Sequence, residues 1–216
     1  APSLAAQPVP PSWSRGVAAS DPNFGGAGTG EAFIRSNISI GNGIYKSTDA
    51  GRTWTHAGLD KTGRIGRVLI DPKNPDVVVA CALGHAYGPQ QERGVYRTAD
   101  GGRTWERTLF VDENTGCSDV AVDAANPRIL FAGMWQIEIH TWGRKSGGEG
   151  SGLFKSTEGG VTWQRLPGHG LPQAPIGKVS AQMARRTQKP VYAPIEQGAV
   201  MTANDGPTKA SAHRST

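Results

Sequence analysis

The sequence predicts an all-β protein: a β-propeller-type arrangement of about four four-stranded antiparallel blades. Three observations carry that expectation. A twelve-residue phrase recurs as GIYKSTDAGRTW (43–54), GVYRTADGGRTW (94–105) and GLFKSTEGGVTW (152–163). A second motif sits between the copies, as VLIDPKNPDVVVACALG (68–84) and VAVDAANPRILFAGMWQ (120–136). Glycine (30) and proline (15) together exceed a fifth of the 216 residues, while charged residues are only 19%. That composition suits tight turns between strands.

The phrase reads as a β-hairpin. An apolar-aromatic pair opens it (Ile44-Tyr45, Val95-Tyr96, Leu153-Phe154), then a turn of Ser/Thr, an acid and Gly, and then Thr-Trp starts the next strand. Asp49, Asp100 and Glu158, spaced 51 and 58 residues apart, can accept N–H bonds from their own turns. Gly51, Gly102 and Gly160 permit backbone angles other residues resist. Trp54, Trp105 and Trp163 each offer an apolar face to a neighbouring sheet. On this reading the phrase is a self-contained clip. A worn fourth copy, GAVMTANDGPTK (198–209), carries Asn204 at the acidic position and Lys209 for Trp.

The second motif reads as another hairpin, with apolar β-branched strands around Asp71-Pro72 and Asn126-Pro127. Worn copies stand at 17–23 and 179–196. Each unit therefore runs strand A, turn, strand B, long loop, strand C, clip, strand D. The units fall at 14–58, 65–109, 117–166 and 176–212, after an Ala/Pro-rich linker at 1–13. Uncovered sheet faces are costly. A compact four-unit arrangement is expected, with a homo-oligomer completing the propeller as one alternative and a piece of a larger propeller as another.

The phrase S/T-x-D-x-G-x-T-W resembles the Asp-box, or BNR repeat, of sialidases, xyloglucan-active glycosidases, the sortilin ectodomain and a photosystem assembly factor. Residues 28–200 look most like large secreted bacterial BNR-repeat proteins, sortilin-like and glycosyl-hydrolase-like. The resemblance implies that the acidic turns are structural and face away from the binding surface. It also implies a secreted or periplasmic location.

Function is then expected on the loops of the opposite face. The B–C loops are 28–43, 84–94 and 135–152, and the D–A loops are 59–64, 109–119 and 167–175. They collect the candidate ligand-binding residues His85, Tyr87, Glu92, Arg93, Trp135, Glu138, His140, Trp142 and Arg144. Aromatic faces beside polar groups suit sugar rings, and the resemblance to sortilin implies an extended peptide as the other ligand. Glycoside hydrolysis needs two carboxylates roughly 5–10 Å apart. Seven of the 18 acids belong to clips or A–B turns. Loop-side candidates are Glu31, Glu92, Asp112, Glu113, Asp119, Glu138 and Glu196. Asp119, at the start of an innermost strand, is the expected catalytic acid or base.

Other classes fit less well. The net charge of +5 comes from scattered basic residues, with one dense cluster at Arg185, Arg186 and Lys189, so nucleic acid is not expected as a partner. The longest apolar run, Val77–Leu83, is far short of the roughly 20 residues of a membrane-spanning helix. No zinc-type ligand set, Ser nucleophile elbow, phosphate loop or dinucleotide fingerprint stands out, so neither metal nor cofactor is expected. The sialidase arginine signature is not reproduced by FIRS (33–36). Cys81 and Cys117 read first as buried thiols, with a disulfide between neighbouring strands as the alternative. The function expected is a binding module for a polysaccharide or extended peptide. The alternatives are a BNR-type glycoside hydrolase and a protein-assembly scaffold.

Overall fold

The structure, a computed structural model, describes residues 14–32, 39–167, 171–172, 175–183 and 191–202. The expected linker at 1–13 and the basic cluster at 185–189 lie outside those residues. The chain is all-β, with four-stranded antiparallel sheets of the propeller type. The first sheet runs β1 (Ser14–Val17), β2 (Gly25–Gly28), β3 (Ile44–Ser47), β4 (Thr55–His56). The second runs β5 (Ile65–Ile70), β6 (Val78–Ala82), β7 (Gly94–Thr98), β8 (Glu106–Leu109). In the third, β9 (Thr115–Val122) pairs with β10 (Leu130–His140), which pairs with β12 (Gly152–Ser156) and, through it, β13 (Gln164–Arg165).

The A–B turns close by the same chemistry in each unit. Asp21, Asp71 and Asp123 each accept from the backbone N–H two residues on, at 2.9, 2.7 and 2.8 Å. These are Asx-turns, which the short Asp side chain makes with its own backbone.

The third sheet departs from expectation. Segment 135–152 was expected as a loop, yet β10 continues to His140 and turns back as β11 (Gly143–Ser146). The reason lies in the pattern of Trp135, Ile137 and Ile139 against Gln136, Glu138 and His140, a period of two that extends a strand. The fourth unit departs too. Its strand A is β14 (Ile176–Val179) and β15 (Gln182–Met183), and its strand B is β16 (Val191–Tyr192) and β17 (Ile195–Gln197). β18 (Ala199–Thr202), expected as its strand C, pairs with β11 of the third unit. Only Gly198 separates β17 from β18, and a hairpin needs at least about two turn residues. The chain therefore runs on to the neighbouring sheet. The fourth clip, at 203–209, lies outside the described residues.

The innermost strands β1, β5, β9 and β14 stand side by side. The core consists of the seams between blades. Ile44 packs with Ile65, Val68, Ala80 and Ala82 at the first seam. Val79, Val95, Val120, Leu130, Met134 and Phe154 fill the second. Phe131, Leu153, Ile176 and Val179 fill the third. Close approach demands small residues there: a Cβ on Gly28 would lie 2.3 Å from Ile65 Cγ2, and one on Gly133 would lie 2.3 Å from Val179 O. Cys81 of β6 and Cys117 of β9 form a disulfide across the second seam. Both side chains are fully buried, and the expectation of free thiols is corrected. The packing of β6 against β9 places the two residues with Cα atoms 5.0 Å apart, within bridging range.

The clips share one geometry. Asp49 accepts from Ser47 Oγ (2.8 Å), Thr53 N (2.9 Å) and Thr53 Oγ1 (2.6 Å). Asp100 repeats these bonds with Thr98 and Thr104. Glu158, one methylene longer, keeps the bond from Thr162 Oγ1 at 2.7 Å. Two consecutive left-handed residues make each turn: Ala50-Gly51, Gly101-Gly102 and Gly159-Gly160.

The clip is not self-contained: it is bonded to the neighbouring blade as well as to its own. The first left-handed residue is held from two sides. Its N–H donates to the A–B turn of its own blade: Ala50 to Asn23 O, Gly101 to Asp76 O, Gly159 to Arg128 O. Its carbonyl accepts from a basic residue on strand C of the preceding blade. Lys46 Nζ donates to Gly101 O at 3.4 Å, and Arg97 Nε to Gly159 O at 3.0 Å. The Trp reaches back the other way. Trp105 Nε1 donates to Ala57 O at 2.7 Å, and Trp163 Nε1 to the equivalent residue, Thr108, at 3.1 Å through Oγ1.

Candidate functional site

The B–C and D–A loops share the face opposite the clips. Among the described residues, four of the six exposed large apolar side chains stand on that face: Ile40, Tyr87, Phe110 and Trp142. Tyr87 (53% exposed) makes a parallel β-bridge with Ile139. That bridge joins the second unit's B–C loop to the third unit's β10–β11 hairpin. Trp142 (65% exposed) sits in the two-residue turn of that hairpin, stacked flat on His140 with centroids 4.7 Å apart and planes 1° apart. One indole face is thereby fixed and the other is open. Glu138 pairs with Lys145 across the hairpin at 3.2 Å, and Arg144 stands opposite Ile139.

Two expected ligand contacts are buried instead. Arg93 has no exposed surface. Its guanidinium donates to Asn114 O (2.6 Å), His85 O (2.7 Å), Gly88 O (3.2 Å) and Ile137 O (3.3 Å). Burial lowers its pKa to about 10, with Asp112 acting in the opposite direction. It ties the 84–93 loop, the 110–114 loop and β10 into one body. Trp135 packs with Leu83 and Ile137 and donates to Ser146 Oγ at 3.1 Å. Lys178 Nζ stands 5.7 Å from its ring centroid. Both residues buttress the rim and present nothing to a ligand.

His85 is half-buried, its ring beside Gly63 and its backbone carbonyl taken by Arg93. Glu92 is half-buried just before β7. Two residues of the rim gave no signal in sequence. Gln90 binds His85 N through Oε1 at 2.5 Å and Lys61 O through Nε2 at 2.6 Å, joining two loops. Phe110, with Arg107 4.0 Å above its ring centroid, adds an aromatic to the rim.

Asp119 lies in the middle of β9, not at its start. Its Oδ1 accepts from Val120 N at 2.9 Å and stands 3.5 Å from Arg67 Nε of β5. Its Oδ2 accepts from Ala181 N at 3.3 Å. The carboxylate thus touches three blades. Burial raises its pKa, opposed by Arg67 and the two N–H bonds. Among the other loop-side acids, Asp112 accepts from Asn114 N (2.8 Å) and Thr115 Oγ1 (2.9 Å), closing its own turn. Glu113 accepts from Gln91 Nε2. Among the described residues, no three His, Cys, Asp or Glu side chains converge as a metal set would. No described helix is long and apolar enough to cross a membrane.

A solved structure shares this fold, and a second is similar more weakly. A GH74 xyloglucanase from Xanthomonas campestris is 17% identical with a TM-score of 0.51, over 87% of this chain and 28% of that one. A GH74 enzyme from Niastella koreensis is 18% identical with a TM-score of 0.49, over 80% of this chain and 24% of that one. At such identity the likeness of the first shows the propeller fold alone. The chain spans less than a third of the length of either structure. No family pattern and no curated protein matches it.

Proposed function

We propose that the chain is a binding module of the Asp-box propeller type, whose loop face holds an extended ligand: a polysaccharide or a peptide strand. The observation that carries this reading is the open indole of Trp142, fixed by His140 and joined through the hairpin to Tyr87. An exposed, oriented aromatic plane stacks on a sugar ring or an apolar side chain with little ordering cost. Arg93, Gln90 and Trp135 hold the rim still behind it. The acid–hydroxyl–amide bonds repeated in the clips support the Asp-box assignment. The disulfide favours an oxidising compartment and hence a secreted or periplasmic location. The sugar-active neighbours make polysaccharide the first ligand to try. The test is a tryptophan-fluorescence titration with soluble polysaccharides and with extended peptides. Trp142→Ala is expected to weaken the bound ligand roughly tenfold, about 1.4 kcal/mol. Unchanged affinity moves the site elsewhere.

A second reading, glycoside hydrolysis, rests on Asp119, whose raised pKa suits a general acid. Its oxygens are already engaged by Arg67, Val120 and Ala181, which favours the binding reading. If Asp119→Asn folds and keeps any hydrolysis the parent shows, Asp119 leaves the mechanism.

A further inference from the structure

The β10–β11 hairpin has two unlike faces. Pairing sets Glu138 opposite Lys145 and His140 opposite Gly143. Residues two apart on a strand share a face, and so do directly paired ones, so Gln136, Glu138, His140 and Lys145 stand together. The other face packs Ile137 and Ile139 with Leu83. Trp142 stacks on His140 and therefore belongs to the polar face. Glu138 lies one alternation from His140, about 7 Å of strand. That is roughly the step from one sugar ring to the next.

The polar groups form a connected set with capacity to spare. Lys145 Nζ donates to Glu138 Oε1 at 3.2 Å, and Gln136 Nε2 donates to the same oxygen at 3.4 Å. Gln136 Oε1 accepts from Gly150 N at 3.1 Å, which fixes the amide. Glu138 Oε2 accepts no hydrogen bond among the described residues. An ammonium carries three N–H donors, and Lys145 gives one to Glu138. Both side chains reach solvent, Glu138 at 28% exposure and Lys145 at 45%. An acceptor and a donor thus stand side by side next to an open indole. As a pair they are neutral, and vicinal hydroxyls, each both donor and acceptor, complement them. An acidic sugar would set its carboxylate against Glu138. An apolar peptide side chain would strip water from the pair without replacing it.

We propose that Glu138 and Lys145 are the specificity-determining pair of the Trp142 site, and that they select a neutral polysaccharide through vicinal hydroxyls while one sugar ring stacks on the indole. The proposal rests on the loop-face reading of Trp142 and commits it to one ligand class.

The experiment is affinity electrophoresis of the full chain. Hydroxyethyl cellulose and guar galactomannan are the neutral probes, carboxymethyl cellulose and polygalacturonate the acidic ones. Stronger retardation by a neutral probe than by either acidic one is expected. Glu138→Gln and Lys145→Met are each expected to weaken neutral binding roughly tenfold, as loss of a hydrogen bond to a charged group does. Circular dichroism is expected to be unchanged in both. Glu138→Gln leaves the ammonium uncompensated and is also expected to admit an acidic probe, whereas Lys145→Met is not. A merely structural ion pair would not switch selectivity in this way. Equal or stronger retardation of the parent by an acidic probe overturns the proposal. So does neutral affinity within about twofold of the parent in either variant. If Trp142→Ala still abolishes neutral binding in that case, the loop-face reading stands and only the pair is excluded. Absence of retardation by every probe also overturns the proposal. Neutral binding that Trp142→Ala leaves unchanged overturns the loop-face reading with it.

Discussion

Asp49 and Asp100 hold their clip turns as carboxylates, and their acidity records it. Hydroxyl and amide donors on Thr53 hold the Asp49 pKa at about 2, below the usual 3.8. Thr104 and Thr98 lower that of Asp100 likewise. A folded pKa below the unfolded one means stability that is present above about pH 4 and lost as pH falls toward 2. Thermal melts between pH 5 and 2 are expected to show this loss. Asp49→Asn and Asp100→Asn are each expected to flatten it; an unaltered slope would remove the clips from the acid response. The first clip carries Ala50 at φ 57° where the others carry Gly. Left-handed alanine is strained, while glycine costs entropy. Ala50→Gly is expected to stabilise by about 0.5–1 kcal/mol net, read as a rise in denaturant midpoint at unchanged slope.

At the scale of elements, the seams carry the fold. The Cys81–Cys117 bridge closes a 36-residue separation across the second seam. The loop-entropy relation gives about 3–4 kcal/mol for that span. The double variant Cys81→Ala/Cys117→Ala is expected to melt roughly 10 °C lower; a shift under about 2 °C would make the bridge incidental. Gly133→Ala presses a methyl onto the Val179 carbonyl. It is expected to cost about 1–3 kcal/mol by overpacking the third seam, measured by urea unfolding. The strands of the first three units were legible because turn chemistry and alternation agree there: Asp71, Asp123 and the clips all announce hairpins. The β10–β11 hairpin was hidden by its Gly-rich flank at 147–152, although 135–140 alternates cleanly. The path of β18 depends on a missing connection after β17, which a motif match overlooks. Arg93 and Trp135 looked like ligand contacts because residue type and loop position do not disclose burial. The contact of Lys46 and Arg97 with the next blade was visible only as a recurring basic residue, since its partner lies one blade away.

For the whole molecule, the two faces divide the work. The clip face joins blade to blade through Lys46, Arg97, Trp105 and Trp163. The loop face presents Tyr87, Phe110 and Trp142 on loops fastened by Arg93 and Gln90. Asp119, tied to Arg67 and Ala181, stands on β9 as a joint between blades. The most direct measurement exposes the protein to a panel of polysaccharides and oligosaccharides, scoring binding and release of reducing ends in parallel, with Trp142→Ala alongside. Saturable binding without release is expected, lost or weakened roughly tenfold in the variant. Release of reducing ends would contradict it and return Asp119 to a catalytic role. Silence in both assays would contradict the polysaccharide assignment and leave a peptide strand as the ligand of the loop face.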